Sequence, residues 1–310
     1  MASAAKHLIA GDLVAFPTET VYGLGADASN SAAVARIYSV KGRPNDHPLI
    51  VHIASMDRMG DWASEVPEYA IALARNFWPG PMTLVLKRSE LAGDFVTGGQ
   101  DTVGVRVPNH PVALGLLEAF ARAGGKGIAA PSANRFGHVS PTTAQAVREE
   151  LDQYLSSDDM ILDGGPSQVG VESTIIDCTS GAPRILRPGA ITDEMIETST
   201  GLKVSNAVSD IRVSGSLENH YAPEATVVLD TTPQPGDGYI AMSDKPTPVG
   251  VIRLASPQSV EEYARILYAS LRDGDSQKIN RICIDQPQGD GLAIAICDRL
   301  QRASTGHGIR

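Results

Sequence analysis

The chain has 310 residues, of which 42% are apolar and 20% charged, and its 26 Lys and Arg against 36 Asp and Glu leave a net charge of −10. These proportions exclude disordered, collagen-like and disulfide-stapled chains. The net negative charge excludes a basic protein that binds nucleic acid non-specifically. At roughly 100–200 residues per domain, the length predicts two domains.

The first 190 residues alternate strand-like and helix-like segments. Short apolar runs predict strands at 13–16, 49–53, 83–86, 103–107, 128–130, 161–162 and 174–176. Helical spacing of apolar residues predicts helices at 31–40, capped by Asn30 or Ser31, and at 67–76, 111–123 and 143–155. Strands mixed with helices at this density predict an α/β fold. The connecting loops are rich in Thr, Ser, Asn, Gly and Pro, and functional groups concentrate in such loops.

The pattern weakens between Pro188 and Pro223, where small polar residues predict a linker of about 35 residues. Strands at 227–229, 250–253 and 281–284, with helices at 259–272 and 291–302, then predict a small second α/β domain. We place the domains at 1–200 and 224–310, with 201–223 as the linker between them.

The cysteines and the N-terminus both predict a cytoplasmic protein. No Cys-x-x-Cys or Cys/His ligand spacing links Cys178, Cys283 and Cys297, so thiols in a reducing compartment are expected. The apolar run that follows Lys6 is too short for a signal peptide. No run of about 18 apolar residues is present, so no membrane partner is expected.

Common nucleotide and hydrolase motifs are missing or misplaced. The sequence contains no GxxxxGK[ST], GxSxG or HExxH. Gly23-x-Gly25-x-x-Ala28 matches a dinucleotide fingerprint only superficially, because six residues separate it from the strand that ends at Phe16. A Rossmann cofactor site is therefore not expected in the first domain.

Four loop segments carry unusual chemistry: PTETVYGLG at 17–25, KGRP with PLIVH at 41–52, PSAN at 131–134, and GGP through EST to RPG at 164–189. Taken singly, each has an ordinary explanation. Lys41 and Arg43 suit a solvated helix end, whereas Ser132 and Asn134 suit a turn. His52 suits a buried core position. Together, two cations and several hydroxyl and amide side chains at strand ends predict a site for an anion with many phosphate oxygens.

These segments resemble the YrdC-like domain of threonylcarbamoyl-AMP synthases. The resemblance covers about residues 5–200, and the Lys-x-Arg pair with Ser-x-Asn is its most specific sign. The later HYAP at 220–223 resembles the linker end of the two-domain form, and parts of 263–272 and 298–300 resemble its C-terminal domain. The implied fold is a twisted mixed sheet with helices and a concave cleft, followed by a small Rossmann-like α/β domain. The stretch between Tyr221 and Ser259 is compact for that second domain.

The resemblance implies a reaction that joins L-threonine, bicarbonate and ATP, with Mg²⁺ carried on the ATP phosphates and no metal ligand from the protein. The products are threonylcarbamoyl-adenylate, pyrophosphate and water, and a separate transferase would use the adenylate to make N6-threonylcarbamoyladenosine in tRNA. The implied catalytic residues are Lys41, Arg43, Ser132 and Asn134. The implied ATP ligands are Arg43, His47, Thr102, Ser132, Ser140, Arg187 and Tyr221. The implied threonine ligands are Thr20, His52, Arg106, the Ala130 backbone and Ser173.

Such a site works by positioning and charge. A carbamate oxygen attacks the α-phosphorus, so no protein nucleophile is required. The two cations of KGRP would neutralise the triphosphate as pyrophosphate leaves, and Arg106 would hold the threonine carboxylate with its bidentate fork. Thr20, His52 or Ser173 would bind the threonine hydroxyl, and the sequence does not distinguish among them. The linker, with Tyr221 near its end, is interpreted as a lid that shields the adenylate from water.

Two alternatives stay open. A binding module would use its concave surface to hold double-stranded RNA, with Lys41 and Arg43 on the phosphate backbone. The net acidic charge and the aromatic content of 5% count against it, so a weak RNA contact is the most that is expected. The third interpretation makes a carbamoyl-adenylate from carbamoyl phosphate, as a larger hydrogenase-maturation protein does. This chain lacks the cysteine clusters of that protein.

Overall fold

The computed structural model describes residues 1–215 and 221–305. Helices and strands alternate over the first 200 residues. The helices are α1 Ala2–Ala10, α2 Ser31–Lys41, α3 Met59–Trp62, α4 Glu68–Phe77, α5 Asp94–Thr97, α6 Pro111–Arg122, α7 Ala144–Leu151 and α8 Asp193–Thr200. The strands are β1 Val14–Phe16, β2 Gly23–Asp27, β3 Ile50–His52, β4 Ala63–Glu65, β5 Met82–Arg88, β6 Thr102–Arg106, β7 Ile128–Ala129, β8 Met160–Ile161, β9 Thr174–Asp177 and β10 Arg184–Arg187.

Strands β1 to β10 form one mixed sheet in the order β10-β9-β5-β6-β3-β7-β2-β1-β8, with β4 paired to β5. Parallel pairs, such as β3 with β6, occur beside antiparallel pairs, such as β3 with β7. The register of β3 on β6 places His52 beside Arg106. Because directly paired residues point to the same face of a sheet, these two predicted threonine ligands are neighbours.

Both faces of the sheet are buried, and the alternation along β1 shows it. Val14 and Phe16 pack with Leu8 of α1 and Phe120 of α6. Ala15 belongs to the larger core on the opposite face. Successive strand residues point to opposite faces, so a strand covered on both sides is apolar throughout. This explains why the central strands read as continuous apolar runs.

Local sequence signals set the two ends of α2, whose last residue is the predicted cation Lys41. The Asn30 side chain accepts hydrogen bonds from the amides of Ala32 and Ala33, so the predicted cap is confirmed. Gly42 ends the helix at φ 64°, in the left-handed region that favours glycine. Lys41 is therefore the last helical residue, and its side chain is buried rather than solvated.

The residues after the linker form a second, smaller α/β unit. It contains β11 Thr226–Leu229, β12 Gly238–Ile240, β13 Ile252–Ala255, α9 Val260–Ser276, β14 Arg281–Ile284 and α10 Leu292–Thr305. The four strands are all parallel, in the order β11-β14-β12-β13. Tyr263, Leu267 and Leu271 of α9 are buried, as their helical spacing predicts. The predicted α/β fold with a second α/β domain is confirmed.

The largest difference from expectation lies in the stretch interpreted as a long linker. Its residues 193–200 form α8, whose N-terminus is capped by Thr192 and whose Ile196 is fully buried. Asn76 of α4 donates a hydrogen bond to Ser199 at 2.7 Å. A short helix with one buried apolar residue has no readable periodicity, so packing against α4 decides its structure.

Smaller differences concern short elements. The fingerprint-like glycines lie in β2, which runs antiparallel to β1 and is no strand-to-helix turn. The predicted helix 143–155 ends as an α-helix at Leu151 and continues as a 3-10 turn over Asp152–Tyr154. α1, α3, α5, β2, β4, β10 and β12 were not predicted: apart from α1 each has only three to five residues, and two of the three buried side chains of α1 are alanines. Across the described ranges, no helix has the length and apolar character needed to cross a bilayer.

Candidate active site

A cavity beside the central strands gathers all five predicted threonine ligands. Its walls come from the segment after β1, from β3 and the end of β6, from the PSAN segment after β7, and from residues flanking β9 and β10. Linker residues complete the wall. The lining consists of Thr18, Thr20, Val21, Gly23, Ile50, His52, Arg106, Ala130, Pro131, Ser132, Glu172, Ser173, Arg187, Ser214 and Tyr221.

Arg106 lines this cavity with a guanidinium that the protein holds on two sides. Nη2 donates to Glu19 Oε1 at 2.6 Å, and Nε donates to the Gly80 carbonyl at 3.3 Å. The Asn109 amide donates to the other Glu19 oxygen at 3.0 Å. No described residue hydrogen-bonds to Nη1. A guanidinium fixed on two sides with a third nitrogen unused is suited to an incoming carboxylate.

His52 is a neutral ring in the same wall. Burial, followed by the neighbouring Arg106 cation, lowers the pKa of His52 to about 3. The ring meets Phe16 edge-on, with 5.9 Å between ring centroids and an interplanar angle of 87°. A neutral imidazole offers one donor and one acceptor nitrogen, so it suits a hydroxyl better than an anion.

The hydroxyl groups predicted for threonine are already oriented by other side chains. The Thr18 and Thr20 hydroxyls share a hydrogen bond at 2.8 Å, and the Thr83 and Ser173 hydroxyls share another at 2.8 Å. Arg187 donates from Nη2 to the Ser173 carbonyl at 2.9 Å and to its hydroxyl at 3.1 Å. Side chains ordered before binding lose less entropy when a ligand arrives.

Lys41 joins two of the sequence motifs and does not line the cavity. Its Nζ donates to the carbonyls of Ser132 at 2.6 Å and Asn134 at 2.5 Å. Burial, followed by the Arg43 cation, lowers the pKa of Lys41 well below its ordinary value. Lys41 was expected to bind the triphosphate, but its ammonium is held by main-chain oxygens of the PSAN segment.

The PSAN segment is further held by its own asparagine. Asn134 Nδ2 donates to the carbonyls of Arg135 at 2.7 Å and His138 at 2.9 Å. Asn134 Oδ1 is buried with no partner among the described residues, and a buried acceptor left in this way is unfavourable. It is thus available to a donor on a ligand or water, while Ser132 lines the cavity directly.

Arg43 and His47 pack around one aromatic ring outside the lining. The Arg43 guanidinium carbon lies 5.9 Å from the Phe136 ring centroid, and His47 meets that ring edge-on at 5.5 Å. Burial lowers the pKa of Arg43 to about 10, so it stays a cation at neutral pH. Its Nη2 donates to the Pro48 carbonyl at 3.1 Å, and its buried Nε has no described partner.

A second, smaller cavity adjoins the first and contains Thr102. The two cavities share Ile50 and Ser214 in their linings. Arg212 and Val213 of the linker also line the second cavity. The linker therefore lies along both cavities.

Arg187 ties that linker to the site. Its Nη1 donates to the Ser214 carbonyl at 2.7 Å. Gly215 has a φ of 81°, and a β-carbon there would clash with the Tyr221 hydroxyl, so this close approach requires glycine. Tyr221 is 1% exposed and lines the first cavity. His220, predicted with it as part of HYAP, lies outside the described residues.

Comparisons with known proteins cover both parts of the chain. The family profile that groups Sua5, YciO and YrdC, described as "Telomere recombination", matches residues 6–189. The profile described as "Threonylcarbamoyl-AMP synthase, C-terminal domain" matches residues 191–305. The threonylcarbamoyl-AMP synthase of Pyrococcus abyssi is 42% identical over 97% of this chain and 93% of its own length. That of Bacillus subtilis is 39% identical over 100% of this chain and 94% of its own.

The chain belongs to the threonylcarbamoyl-AMP synthase family. The predicted resemblance is thus confirmed over both domains. The structure of P. abyssi Sua5 complexed with L-threonine matches with a TM-score of 0.86 at 40% identity, over 98% of this chain and 93% of that chain. Escherichia coli YciO, with a TM-score of 0.51 at 23% identity, shares the fold alone.

Within this synthase fold, the cavity unites eight of the predicted ligands: Thr20, His52, Arg106, Ala130, Ser132, Ser173, Arg187 and Tyr221. The others, which do not line it, are Lys41, Arg43, His47, Thr102, Asn134 and Ser140.

Glu172 is the main lining residue that was not predicted. It accepts hydrogen bonds from the Ser140 hydroxyl at 2.7 Å, the Tyr268 hydroxyl at 2.9 Å and Arg299 Nε at 2.9 Å. Burial would raise the pKa of Glu172, but the Arg299 and Arg187 cations outweigh burial and lower it to about 2. Glu172 and Glu19 both stand inside quoted motifs, so a sequence signal for them existed. Tyr268 and Arg299 also lie in segments that resemble the family's C-terminal domain. Nothing in the sequence places them beside Glu172, however, because they are 96 and 127 residues away along the chain.

The cations of this site are enclosed, which counts against the RNA-binding alternative. Each of them is at most 6% exposed: Lys41, Arg43, Arg106 and Arg187. The phosphates of a duplex lie on its outer surface and are neutralised by cations that reach solvent. The geometry therefore fits a small ligand inside a cavity better than a nucleic acid on a surface.

Proposed function

We propose that this chain condenses L-threonine, bicarbonate and ATP into threonylcarbamoyl-adenylate, pyrophosphate and water. One observation carries the proposal: a cavity combines a partly satisfied arginine fork, a neutral histidine and fixed hydroxyls, beside buried cations. In the first step, the threonine nitrogen bonds to the bicarbonate carbon and water leaves. In the second, a carbamate oxygen bonds to the α-phosphorus while the bond to pyrophosphate breaks.

Threonine would bind between Arg106 and His52. The Arg106 fork would take the carboxylate in a direction already set by Glu19 and the Gly80 carbonyl. His52 offers a neutral partner for the threonine hydroxyl, with Thr20 and Ser173 as the other candidates. A buried polar partner rejects an amino acid without that hydroxyl more strongly than an apolar wall would.

ATP would occupy the side of the cavity lined by Ser132 and Arg187, extending toward Thr102 and His47. Arg43 and Arg187 would supply positive charge for the phosphates. Lys41 would act mainly through the PSAN segment, because its ammonium holds the Ser132 and Asn134 carbonyls. This arrangement supports a reaction driven by positioning and electrostatics.

Mg²⁺ would arrive with the ATP phosphates and add charge neutralisation for the leaving pyrophosphate. The donor set supports this route. Glu172 in the cavity lining is already paired with Arg299, and Glu19 beside the lining is already paired with Arg106. Within 1–215 and 221–305, no cluster of three or more His, Cys, Asp or Glu side chains is arranged to hold a metal.

The linker at 201–223 would serve as the lid between domains 1–200 and 224–310. Ser214 lies in both cavities and Tyr221 in the first, which supports a shielding role for the adenylate. If removal of residues 201–310 left turnover and adenylate hydrolysis unchanged, this role would be wrong.

The adenylate would then pass to a transferase that modifies tRNA. A mixed anhydride hydrolyses readily, so a consuming enzyme must act soon after release. The three cysteines are free thiols, which supports a reducing cytoplasmic setting.

The test is pyrophosphate release from Mg-ATP, with and without L-threonine and bicarbonate. Release should require both substrates and should fall strongly in Arg106→Gln. Arg122→Gln, which removes an exposed cation from α6, is the matched control and should behave as the wild type. Release that ignores threonine would refute the proposed function, and salt-sensitive RNA binding without release would favour the RNA alternative.

A further inference from the structure

The C-terminal domain reaches the cavity through two side chains. Tyr268 of α9 and Arg299 of α10 both donate to Glu172 Oε2, each at 2.9 Å. The other oxygen, Oε1, accepts the Ser140 hydroxyl at 2.7 Å. Glu172 itself lines the cavity and precedes Ser173 in the chain. Donors from three separate segments therefore converge on one carboxylate in the wall of the site.

Resting on the function proposed above, we propose that Tyr268 and Arg299 are positioning residues of the active site. They hold the Glu172 carboxylate, through it they orient the Ser140 hydroxyl, and they pack directly against Tyr221. The second domain is then part of the catalytic architecture, although its residues do not line the cavity.

Charge explains why Arg299 is needed. A carboxylate beside a bound triphosphate is repelled, and a buried carboxylate without a counter-ion is strongly unfavourable. Arg299 is 1% exposed and pairs with Glu172, and the two cations Arg299 and Arg187 keep the pKa of that carboxyl at about 2. Glu172 therefore stays an anion that only accepts hydrogen bonds.

This anion decides what Ser140 can do. A serine hydroxyl has one hydrogen, and Ser140 donates it to Glu172. With that hydrogen used, Ser140 can only accept a further hydrogen bond. It is fully buried and does not line the cavity, so its hydroxyl serves to hold the Glu172 carboxylate in the cavity wall.

The same two residues hold the end of the linker. The Tyr268 ring stacks on Tyr221 with 5.7 Å between centroids and an angle of 21°. The Arg299 guanidinium carbon lies 5.5 Å from the Tyr221 centroid, and its Nη2 donates to the Pro188 carbonyl at 3.0 Å. Pro188 directly follows Arg187, so one arginine contacts the linker end and the β10 end together.

The first test is Tyr268→Phe in the full chain, assayed by threonine-dependent pyrophosphate release. A hydrogen bond to a charged group corresponds to about a tenfold change or more, so kcat should fall by about tenfold. Tyr263→Phe is the matched control. It lies on the same helix, is equally buried, and donates to the Asp285 carbonyl at 3.0 Å inside the second domain. That variant should keep the wild-type kcat.

The second test uses the pH profile of Arg299→Met. The charged and titratable groups around Glu172 are Arg299 with Asp298 of α10, Tyr268 of α9, Arg187 of β10 and Tyr221. Without Arg299, burial should raise the pKa of Glu172. The kcat of the variant should therefore fall as the pH is lowered toward about 5, whereas the kcat of the wild type should stay constant. At neutral pH we expect about a 100-fold loss of kcat.

The outcomes separate the two proposals. A wild type that releases no pyrophosphate refutes the proposed function without reference to Tyr268 or Arg299. An active wild type, with Tyr268→Phe equal to Tyr263→Phe, overturns the positioning inference. An Arg299→Met profile parallel to the wild type overturns it as well. If Arg299→Met does not fold, the two tyrosine variants decide the question, because a phenylalanine retains the packing of either ring.

Discussion

The Glu19–Arg106 pair allows burial to be tested at nearly constant geometry. Its Nη2···Oε1 distance is 2.6 Å, and both side chains are 5% exposed. Lys87 and Glu65 form a pair at 2.8 Å on the surface, with side chains 49% and 66% exposed. Glu19→Gln and Glu65→Gln each remove one carboxylate charge and keep the side-chain shape. The two substitutions therefore differ mainly in how far the pair is removed from water.

The two substitutions should reduce the free energy of unfolding by different amounts. At an effective dielectric constant of about 20, charges at the Glu19–Arg106 distance attract by about 6 kcal/mol before desolvation is subtracted. Breaking a buried pair costs about 3–5 kcal/mol, and because Gln keeps one acceptor we expect about 3 kcal/mol for Glu19→Gln. The exposed pair should contribute less than about 1 kcal/mol. Loss of the Arg106 direction should also raise the threonine KM by about tenfold, with a smaller change in kcat.

Urea unfolding followed by circular dichroism measures the first effect, and threonine titrations of pyrophosphate release measure the second. Equal losses of unfolding free energy in Glu19→Gln and Glu65→Gln would refute the burial argument. A threonine KM unchanged in Glu19→Gln would refute the role of Glu19 in aiming Arg106.

Three further perturbations test other parts of the site. The pKa of His52 is about 3 in the folded protein and roughly 6.5 in an unfolded chain, so the unfolded state binds more protons between these values and stability is lost as the pH falls. Between about pH 7 and about pH 5 the wild type should lose about 2 kcal/mol more unfolding free energy than His52→Gln, as measured by urea unfolding. Equal losses would contradict the lowered pKa of His52. Lys41→Met removes the ammonium that holds the PSAN segment, so kcat for pyrophosphate release should fall by about 100-fold, and an unchanged kcat would show that the segment holds its place without Lys41. Gly215→Ala forces a β-carbon against Tyr221 at a left-handed φ and should raise the ATP KM by about fivefold, whereas Gly181→Ala, where a β-carbon meets open space, should not change it.

Most element positions follow from signals carried by neighbouring residues. Asn30 caps α2 through the amides two and three residues later, and proline begins α6 because its missing N–H has no helical partner to lose. Strands such as β1 and β3 are apolar runs that local inspection finds, because the sheet is covered on both faces. α8 shows the limit of such local signals. Its small polar residues favour a turn or a linker, and besides the Thr192 cap it has one buried isoleucine and a contact with α4 to hold it as a helix.

The candidate site likewise has features that the sequence predicts and features that only the fold decides. The chemistry of the motifs, with cations, hydroxyls and a histidine near strand ends, is visible in the chain and predicts an anion-binding cavity. The direction in which each side chain points is not visible in the chain. Lys41 looks like a phosphate ligand in the motif, yet its ammonium is used by carbonyls 91 and 93 residues later. Residue type records what a group can bind, and the surrounding fold decides which partner is within reach.

Contacts between distant segments were beyond sequence analysis for a physical reason. Tyr268 and Arg299 contact Glu172 across 96 and 127 residues. Neither the apolar spacing of their helices nor the resemblance of these segments to the family indicates which residue they contact. A hydrogen bond depends on a few tenths of an ångström and on angle, whereas apolar periodicity depends only on which face is buried. The amino-acid order therefore specified the α/β class, the motifs and the family. The packing of the second domain on the first specified which carboxylate, hydroxyl and aromatic ring complete the cavity.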